Sequence, residues 1–151
     1  MEVKVLEMIY DGPIVNADIQ LVNYHHHYYE AYREMNCNSF RSLSIAVGLN
    51  PDVFYSEEEL TQKADTIFLL LAGKKLMGAV EITGNEIQHL VVNVGFQQKG
   101  LGKKLLMYGI NQIQQSGYST VRLFVAECNQ GAVRFYLANG FAEINAVIEE
   151  W

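Results

Sequence analysis

The sequence is poor in the features that mark several specialised protein classes. Its 151 residues include only two prolines, two cysteines and one tryptophan. Two cysteines, Cys37 and Cys128, are too few for a disulfide framework, and this usage is typical of a reducing, cytoplasmic compartment. No apolar run approaches the roughly 20 residues that a membrane-spanning helix requires. We therefore expect a soluble, cytoplasmic protein without a membrane partner.

The chain also lacks an excess of positive charge. Eleven Lys and Arg residues face seventeen Asp and Glu residues, which gives a formal net charge of −6. Because nucleic-acid binding relies on a basic surface, we expect no nucleic-acid partner. Half of the residues are hydrophobic, and a chain of this length can bury a sizeable core. The expected organisation is a single domain over residues 1–151.

Hydrophobic periodicity and turn residues divide the chain into strands and helices. The first ten residues alternate like a strand. A helix is expected from about Asn16 towards Met35, with Asn16 or Asp18 near its N-cap, and a second helix from Phe40 to Val47. Ser56 and Glu59 have the spacing of a capping box. Further elements are strands at Thr66–Ala72, Leu76–Thr83 and Glu86–Val94, a helix at Gly100–Ser116, a strand at Thr120–Cys128, a short helix from Asn129 to Asn139–Gly140 and a strand at Phe141–Glu150.

A glycine-rich turn follows the third of these meander strands. Gln97, Gly100 and Gly102 come directly after the apolar stretch Leu90–Val94, where a helical pattern begins. Glycines let the backbone turn tightly and approach a ligand closely. The helix N-terminus adds unpaired N–H groups and the positive end of its dipole. Three positive charges lie in the same stretch: Lys99, Lys103 and Lys104. The combination predicts a site for a phosphate or pyrophosphate.

Two common phosphate loops fit this turn only in part. Gly95 and Gly100 have the spacing of a P-loop, but Leu101-Gly102 stands where a P-loop has Lys and Ser or Thr. A dinucleotide fingerprint needs a third glycine, and Leu105 occupies that position. A nucleotide binder of the P-loop or Rossmann class therefore ranks third among the functions considered for this chain, after the two given below.

The pattern Gln-x-x-Gly-x-Gly after an apolar strand resembles the first signature of the GNAT superfamily of acyl-CoA-dependent N-acyltransferases. The resembling stretch runs from Leu90 to about Leu106. A second stretch, from Asn129 to Phe141, resembles the other signature of the family at the expected distance. The predicted element order, β-α-α-β-β-β-α-β-α-β, is also that of the resembling fold. The fold class is therefore α/β (α+β), with a mixed, mostly antiparallel central sheet and helices on both faces.

The resemblance implies that acetyl-CoA lies in a V-shaped opening between the Leu90–Val94 and Thr120–Cys128 strands. It implies that the pantetheine pairs with the backbone near Val92 and Val94, and that N–H groups from Gln97 to Lys103 hold the pyrophosphate. No metal is expected. The residues implied to bind the cofactor are Val92, Val94, Gln97, Gln98, Lys99, Gly100, Leu101, Gly102, Lys103, Asn129 and Tyr136.

Two residues are candidates for proton transfer. In the resembling family a tyrosine at the position of Tyr136 protonates the departing CoA thiolate, a role that suits a phenol; a core aromatic is the alternative. Glu86 matches a catalytic acidic residue of some family members and is the candidate general base, with a plain polar residue beside a turn as its alternative. Glu81 and His89 are second choices. Strand alternation places His89 on the opposite face from Glu86.

The predicted function is an N-acetyltransferase that moves the acetyl group of acetyl-CoA to a primary amine of a small molecule, peptide or protein. The amine would attack directly in a ternary complex, and a backbone N–H near Val92–Val94 would stabilise the oxyanion. The alternative is a CoA-binding regulatory module of the same fold without efficient turnover. The consecutive His25, His26 and His27 do not predict a metal site, because helical ligands sit three or four residues apart. The final strand or a free sheet edge is compatible with a homodimer.

Overall fold

A seven-stranded sheet forms the centre of the molecule. The computed structural model describes all of residues 1–151. The strands lie in the order β2-β3-β4-β5-β6-β1-β7, and β5 and β6 are the one parallel pair among antiparallel neighbours. The expected mixed, mostly antiparallel sheet is confirmed. The strands are β1 Glu2–Tyr10, β2 Val22–Asn23, β3 Ile67–Ala72, β4 Lys75–Thr83, β5 Glu86–Val92, β6 Val121–Ala126 and β7 Ala142–Glu150.

Five α-helices cover the two faces of this sheet. They are α1 Tyr29–Ser39, α2 Arg41–Ala46, α3 Glu57–Gln62, α4 Leu101–Gln115 and α5 Gln130–Ala138. One face carries α4 and α5 over a core that includes Met8, Ile87 and Leu106. The other face carries α1 and α3 over a core that includes Tyr32, Leu60 and Val91. None of the helices is both long and apolar enough to span a membrane.

The prediction of a helix that begins near Asn16 is wrong. Residues 11–21 form neither helix nor strand, and the first α-helix begins only at Tyr29. Side chains of α4 bind the backbone of this segment instead: the Val15 N–H donates to Gln114 Oε1 at 3.0 Å, and Asn111 Nδ2 donates to the Val15 carbonyl at 2.8 Å. Hydrogen bonds from another element thus replace the bonds that a helix would make.

Three helices, and not two, precede β3. The additional helix is α3, which begins at the predicted capping box. Glu59 N donates to Ser56 Oγ at 3.1 Å, and Ser56 N donates to Glu59 Oε1 at 3.5 Å. The reciprocal pair satisfies two N–H groups of the first turn, which allows a helix of only six residues to form here.

The strands β5 and β6 diverge from each other. They pair at Glu86 and Arg122 alone, so the sheet opens beyond this point. β5 ends at Val92, two residues before the predicted end, because Val94–Phe96 forms a 3-10 turn. The Phe96 N–H donates to the Asn93 carbonyl in this turn at 2.8 Å. The opening connects the two faces of the sheet.

We expect Gly78→Ala to destabilise the sheet beside this opening. A Cβ at Gly78 would lie 2.7 Å from the Val91 carbonyl oxygen and 2.8 Å from Leu105 Cδ1. Overpacking of this kind costs about 1–3 kcal/mol, which urea unfolding would measure. Gly95→Ala is the control, because its added Cβ meets nothing within 4 Å. Equal unfolding midpoints for the two variants would contradict this account of the packing.

Candidate active site

A cleft of about 670 Å³ lies on the α4 and α5 face, where β5 and β6 diverge. We call it the glycine cleft. Its walls are the end of β5, the turn that follows, the N-terminus of α4 and the first turns of α5. The residues that line it are Leu90, Val92, Gln97, Gln98, Gly100, Leu101, Gly102, Asn129, Gly131, Ala132, Phe135 and Tyr136.

The turn into α4 leaves its backbone N–H groups open to the cleft. Gln98 and Gly100 have φ angles of 62° and 78°, so the chain reverses sharply before the helix. Gly100 is the N-cap and supplies no side chain to bind the first N–H groups. A Cβ at Gly102 would lie 3.6 Å from the Phe135 ring, since α4 passes close to α5. Free N–H groups at a helix N-terminus attract an anion.

Most of the predicted cofactor residues line this cleft, but three do not. Val94 lies outside it, 54% exposed, because it belongs to the 3-10 turn after β5. Lys99 and Lys103 are also exposed and absent from the lining. The structure adds Leu90, Gly131, Ala132 and Phe135 to the predicted set. Ala132 and Phe135 had a sequence signal, because their spacing along α5 puts them on one helical face.

The carbonyl of Val92 already has partners in the protein. Gln97 Nε2 donates to it at 3.1 Å, and Ser39 Oγ donates to it at 3.2 Å. Both donors come from side chains outside β5, at the point where β6 no longer runs beside the strand. A ligand that pairs with this carbonyl must therefore compete with Gln97 or Ser39.

Tyr136 lies on α5 at the inner end of the glycine cleft. Its ring packs against Phe135 and Phe141, with centroids 5.3 and 5.6 Å away. Burial raises the pKa of the Tyr136 phenol to about 12, so the hydroxyl is protonated at neutral pH. Asn129 also lines the cleft, while its Oδ1 accepts a hydrogen bond from Ala132 N at 3.4 Å as the cap of α5.

A second cavity, of about 280 Å³, lies on the opposite face of the sheet. We call it the carboxylate cavity. It is bounded by α1, α3, β4 and β5, with the aromatic rings of Tyr32, Phe54 and Tyr55 on one side. The polar and ionisable side chains in its lining are Lys63, Glu81, Glu86, Gln88 and His89.

Glu86 and His89 share this cavity, so the prediction that they lie on opposite faces is wrong. In the pairing of β4 with β5, Glu81 faces His89 and Ile82 faces Ile87, which leaves Gln88 as an extra residue. This β-bulge interrupts the alternation of side chains, and His89 joins Glu86 on the α1 face. Simple alternation contains no signal for the bulge.

Asn36 fixes the orientation of the His89 ring. Asn36 Nδ2 donates to the Tyr32 carbonyl at 2.9 Å, so its Oδ1 faces His89 Nε2 and forms a hydrogen bond with it. The proton therefore lies on Nε2, and Nδ1 carries the free lone pair. Burial and, secondarily, the Lys63 charge lower the pKa of His89 to about 4. The imidazole is neutral at pH 7.

The two carboxylates of the cavity differ in their partners. Glu81 is buried, and its Oε2 lies 3.1 Å from Lys63 Nζ. Lys63 Nζ also lies 4.1 Å from the centroid of the Tyr55 ring. Glu86 takes part in none of the ion pairs of the structure. The negative charge of Glu81 is therefore compensated within the protein, while that of Glu86 is available to a ligand.

A third cavity, of about 280 Å³, lies between the other two, where β5 and β6 diverge. We call it the apolar cavity. It shares Leu90, Asn129, Ala132 and Tyr136 with the glycine cleft, and Gln88 and His89 with the carboxylate cavity. Its remaining lining residues are Phe40, Leu43, Ile87, Leu123, Phe124, Val125, Ala126 and Trp151. The three cavities therefore lie next to one another, in a row that we call the path between the faces of the sheet.

The run of three histidines lies away from this path. His26 and His27 belong to an exposed 3-10 turn, and His25 Nδ1 accepts a hydrogen bond from the His27 N–H at 3.3 Å. The rings of His25 and His26 stack with centroids 4.2 Å apart. The structure contains no group of three or more His, Cys, Asp or Glu side chains placed to hold a metal ion.

Comparison with known proteins decides the family of this chain. The model of the acetyltransferase (GNAT) domain matches residues 48–150. The chain belongs to the GNAT acetyltransferase family. The resemblance read from its two signatures is confirmed.

Two curated GNAT relatives are similar to parts of the chain. Mycothiol acetyltransferase of Renibacterium salmoninarum is 36% identical over 75 residues, which cover 50% of this chain and 20% of that protein. The [ribosomal protein bS18]-alanine N-acetyltransferase of Haemophilus ducreyi is 43% identical over 56 residues, 37% of this chain and 39% of that protein. The matches thus span well under half of each relative.

Solved structures of the GNAT family share the fold. The PaiA N-acetyltransferase of Thermoplasma acidophilum, solved in complex with coenzyme A, has a TM-score of 0.69 at 18% identity and covers 87% of this chain and 98% of its own. A GNAT acetyltransferase of Colwellia psychrerythraea has a TM-score of 0.73 at 14% identity, over 98% of this chain and 55% of its own. At these identities the likeness concerns the fold alone.

We expect His89 to make stability depend on pH between about 4 and 6.5. Over this range the unfolded chain binds a proton at His89 that the folded chain does not bind, so the free energy of unfolding falls as the pH is lowered. The loss amounts to up to about 3 kcal/mol. Urea unfolding at several pH values would measure it. His89→Gln should remove this component and exposed His26→Gln should not; equal pH slopes in both variants would refute the assignment.

Proposed function

We propose that this GNAT acyltransferase binds acetyl-CoA in the glycine cleft and acetylates a primary amine that enters from the carboxylate cavity. The amine belongs to a small molecule, a peptide or a protein. The observation that carries the proposal is the row of three cavities, each sharing lining residues with the next, from the N-terminus of α4, past Tyr136, to Glu86 on the other face. Two reactants that enter from opposite faces would meet in the opening and form a ternary complex.

In this proposal the turn before α4 holds the pyrophosphate. Free N–H groups between Gln97 and Lys103 supply hydrogen bonds, and the helix dipole favours the negative charge. Lys99 and Lys103 lie outside the lining and act as an outer positive field in an acidic chain. The pantetheine passes Leu90 and pairs with the backbone near Val92 and Val94, where Gln97 yields the Val92 carbonyl to it. Asn129 contacts the cofactor from the opposite wall of the glycine cleft.

Proton transfer would then occur at the two ends of the path. An acceptor ammonium ion is attracted to Glu86, which takes its proton directly or through a water molecule. The neutral nitrogen attacks the thioester carbonyl, and a backbone N–H near Val92–Val94 stabilises the oxyanion. The C–N bond forms and the C–S bond breaks. Tyr136 donates its hydrogen bond, and then its proton, to the departing sulfur. The attached nitrogen loses its second proton as the C–S bond breaks, and this proton returns the Tyr136 phenolate to the phenol, directly or through a water molecule. The proton held by Glu86 passes to solvent. The products are an amide and free CoA.

The first test is calorimetric titration of the protein with acetyl-CoA, with ATP and NADH as controls. We expect Gly102→Glu to weaken acetyl-CoA binding at least about tenfold, because it places a carboxylate beside the pyrophosphate and fills the cleft. Gly102→Ala is the matched control, since its Cβ makes only ordinary contacts with Phe135 and Val92. Absence of acetyl-CoA binding to the folded wild-type protein would reject the proposal.

The second test separates chemistry from binding. We expect Tyr136→Phe and Glu86→Gln each to lower kcat about a hundredfold, a typical effect of losing a general acid or base. The dissociation constant of acetyl-CoA should stay within about twofold of wild type in both. Tyr118→Phe, at an exposed position, is the control. Acetyl-CoA binding without transfer to any amine of a broad panel would instead indicate the CoA-binding module.

A further inference from the structure

The apolar cavity is larger than an acetyl group requires. Its volume of about 280 Å³ compares with a share of about 30 Å³ for one water molecule in the liquid, a molecule close in size to a methyl group. The methyl group of acetyl-CoA would therefore fill a small part of it. The rest is lined by side chains of α2, β5 and β6, among them Leu43, Leu123 and Phe124.

The thioester end of a bound CoA would reach this cavity directly. Leu90, Ala132 and Tyr136 line both the glycine cleft and the apolar cavity. A pantetheine that passes Leu90 and places its sulfur near Tyr136 therefore points its acyl group into the apolar cavity. The apolar cavity shares fewer residues with the carboxylate cavity, only Gln88 and His89. It is therefore more closely associated with the glycine cleft than with the carboxylate cavity.

The carboxylate cavity and the apolar cavity differ in the charge of their linings, and this difference indicates which substrate each would bind. The carboxylate cavity contains Glu81 and Glu86, which suit an ammonium ion. The apolar cavity is lined by no Asp, Glu, Lys or Arg side chain, and an ammonium ion buried there would lose its hydration without compensation. A hydrocarbon chain has the opposite preference, because burial removes its apolar surface from water.

We propose that the apolar cavity receives the acyl chain of the donor, and that the enzyme uses acyl-CoA thioesters longer than acetyl-CoA. Straight saturated chains of about four to six carbons fit its volume. The inference rests on the proposed binding of acyl-CoA in the glycine cleft. The reaction is unchanged: the amine forms the C–N bond, the C–S bond breaks, and the product is a longer amide.

The test is a calorimetric series with CoA, acetyl-CoA, butyryl-CoA and hexanoyl-CoA, which needs no knowledge of the acceptor. Each methylene that enters the cavity should tighten binding about two- to fourfold. Hexanoyl-CoA should therefore bind more than about tenfold tighter than acetyl-CoA. A flat series, or one that weakens with chain length, would overturn the inference. Acyl transfer with the same four donors to an amine panel would show whether the longer chains also react.

Variants at Leu43, Ile45 and Phe124 test whether the acyl chain lies in the apolar cavity. Leu43 and Ile45 both lie on α2, but Leu43 lines the cavity and Ile45 is 62% exposed. Leu43→Trp should abolish the gain of hexanoyl-CoA over acetyl-CoA, while Ile45→Trp should keep it. Because Leu43 also packs on the core cluster around Val5, Phe124→Asn at a 45% exposed position is a second variant with the same expected loss. Equal gains in all three variants would place the chain elsewhere.

The outcomes separate this inference from the function on which it rests. If no acyl-CoA binds to the folded protein, the proposed function fails. If acetyl-CoA binds and hexanoyl-CoA binds no better, the function stands and the acyl-chain inference alone fails. If Leu43→Trp changes the KM of the amine and leaves the donor series unchanged, the apolar cavity belongs to the acceptor, which also overturns the inference.

Discussion

Backbone groups on the facing edges of β5 and β6 need partners, because the two strands share a single pair at Glu86 and Arg122. A sheet interior normally satisfies such groups through the neighbouring strand. Here Ser39 and Gln97 donate to the Val92 carbonyl instead. The lost strand pairing opens the sheet along the path, and the glycine cleft and the apolar cavity both lie at this opening.

The bulge at Gln88 gives this path its polar end. An unbulged β5 would place His89 in the core under α4, where an imidazole has no partner. With the extra residue, His89 joins Glu86 on the α1 face and finds Asn36. The same change of register keeps Ile87 and Leu90 on the α4 face, where they pack against the core. One inserted residue thus serves both the core and the site.

The ammonium group of Lys63 interacts with two other ionisable groups of the carboxylate cavity. Lys63 pairs with buried Glu81, and its charge adds to burial, the larger cause, in lowering the pKa of His89. A buried carboxylate without a partner would carry an uncompensated charge next to Glu86. Because Lys63 compensates Glu81, Glu86 remains the carboxylate of the cavity without an ion-pair partner in the protein. The division between a compensated and a free carboxylate arises from packing between α3, β4 and β5.

Local interactions allowed the sequence by itself to determine the strands β3 to β7, the glycine turn with α4, and α5 with its Asn129 cap. A helix period, a capping side chain and a left-handed glycine act over a few residues, so their signals are visible in the chain. The resemblance of the two signatures to the GNAT family predicted most of the lining of the glycine cleft, including Gly102 and Tyr136. The local signals failed for residues 11–21, whose hydrogen bonds come from Asn111 and Gln114 on α4.

Only the tertiary structure decided how the carboxylate cavity is built. The bulge at Gln88 depends on the register between β4 and β5, and no local pattern of β5 encodes it. The contact of Asn36 with His89 and the ion pair of Lys63 with Glu81 join residues on different elements. Contacts between residues far apart in the chain fix proton positions and charges here, which is why the sequence indicated the lining of the glycine cleft well and that of the carboxylate cavity poorly.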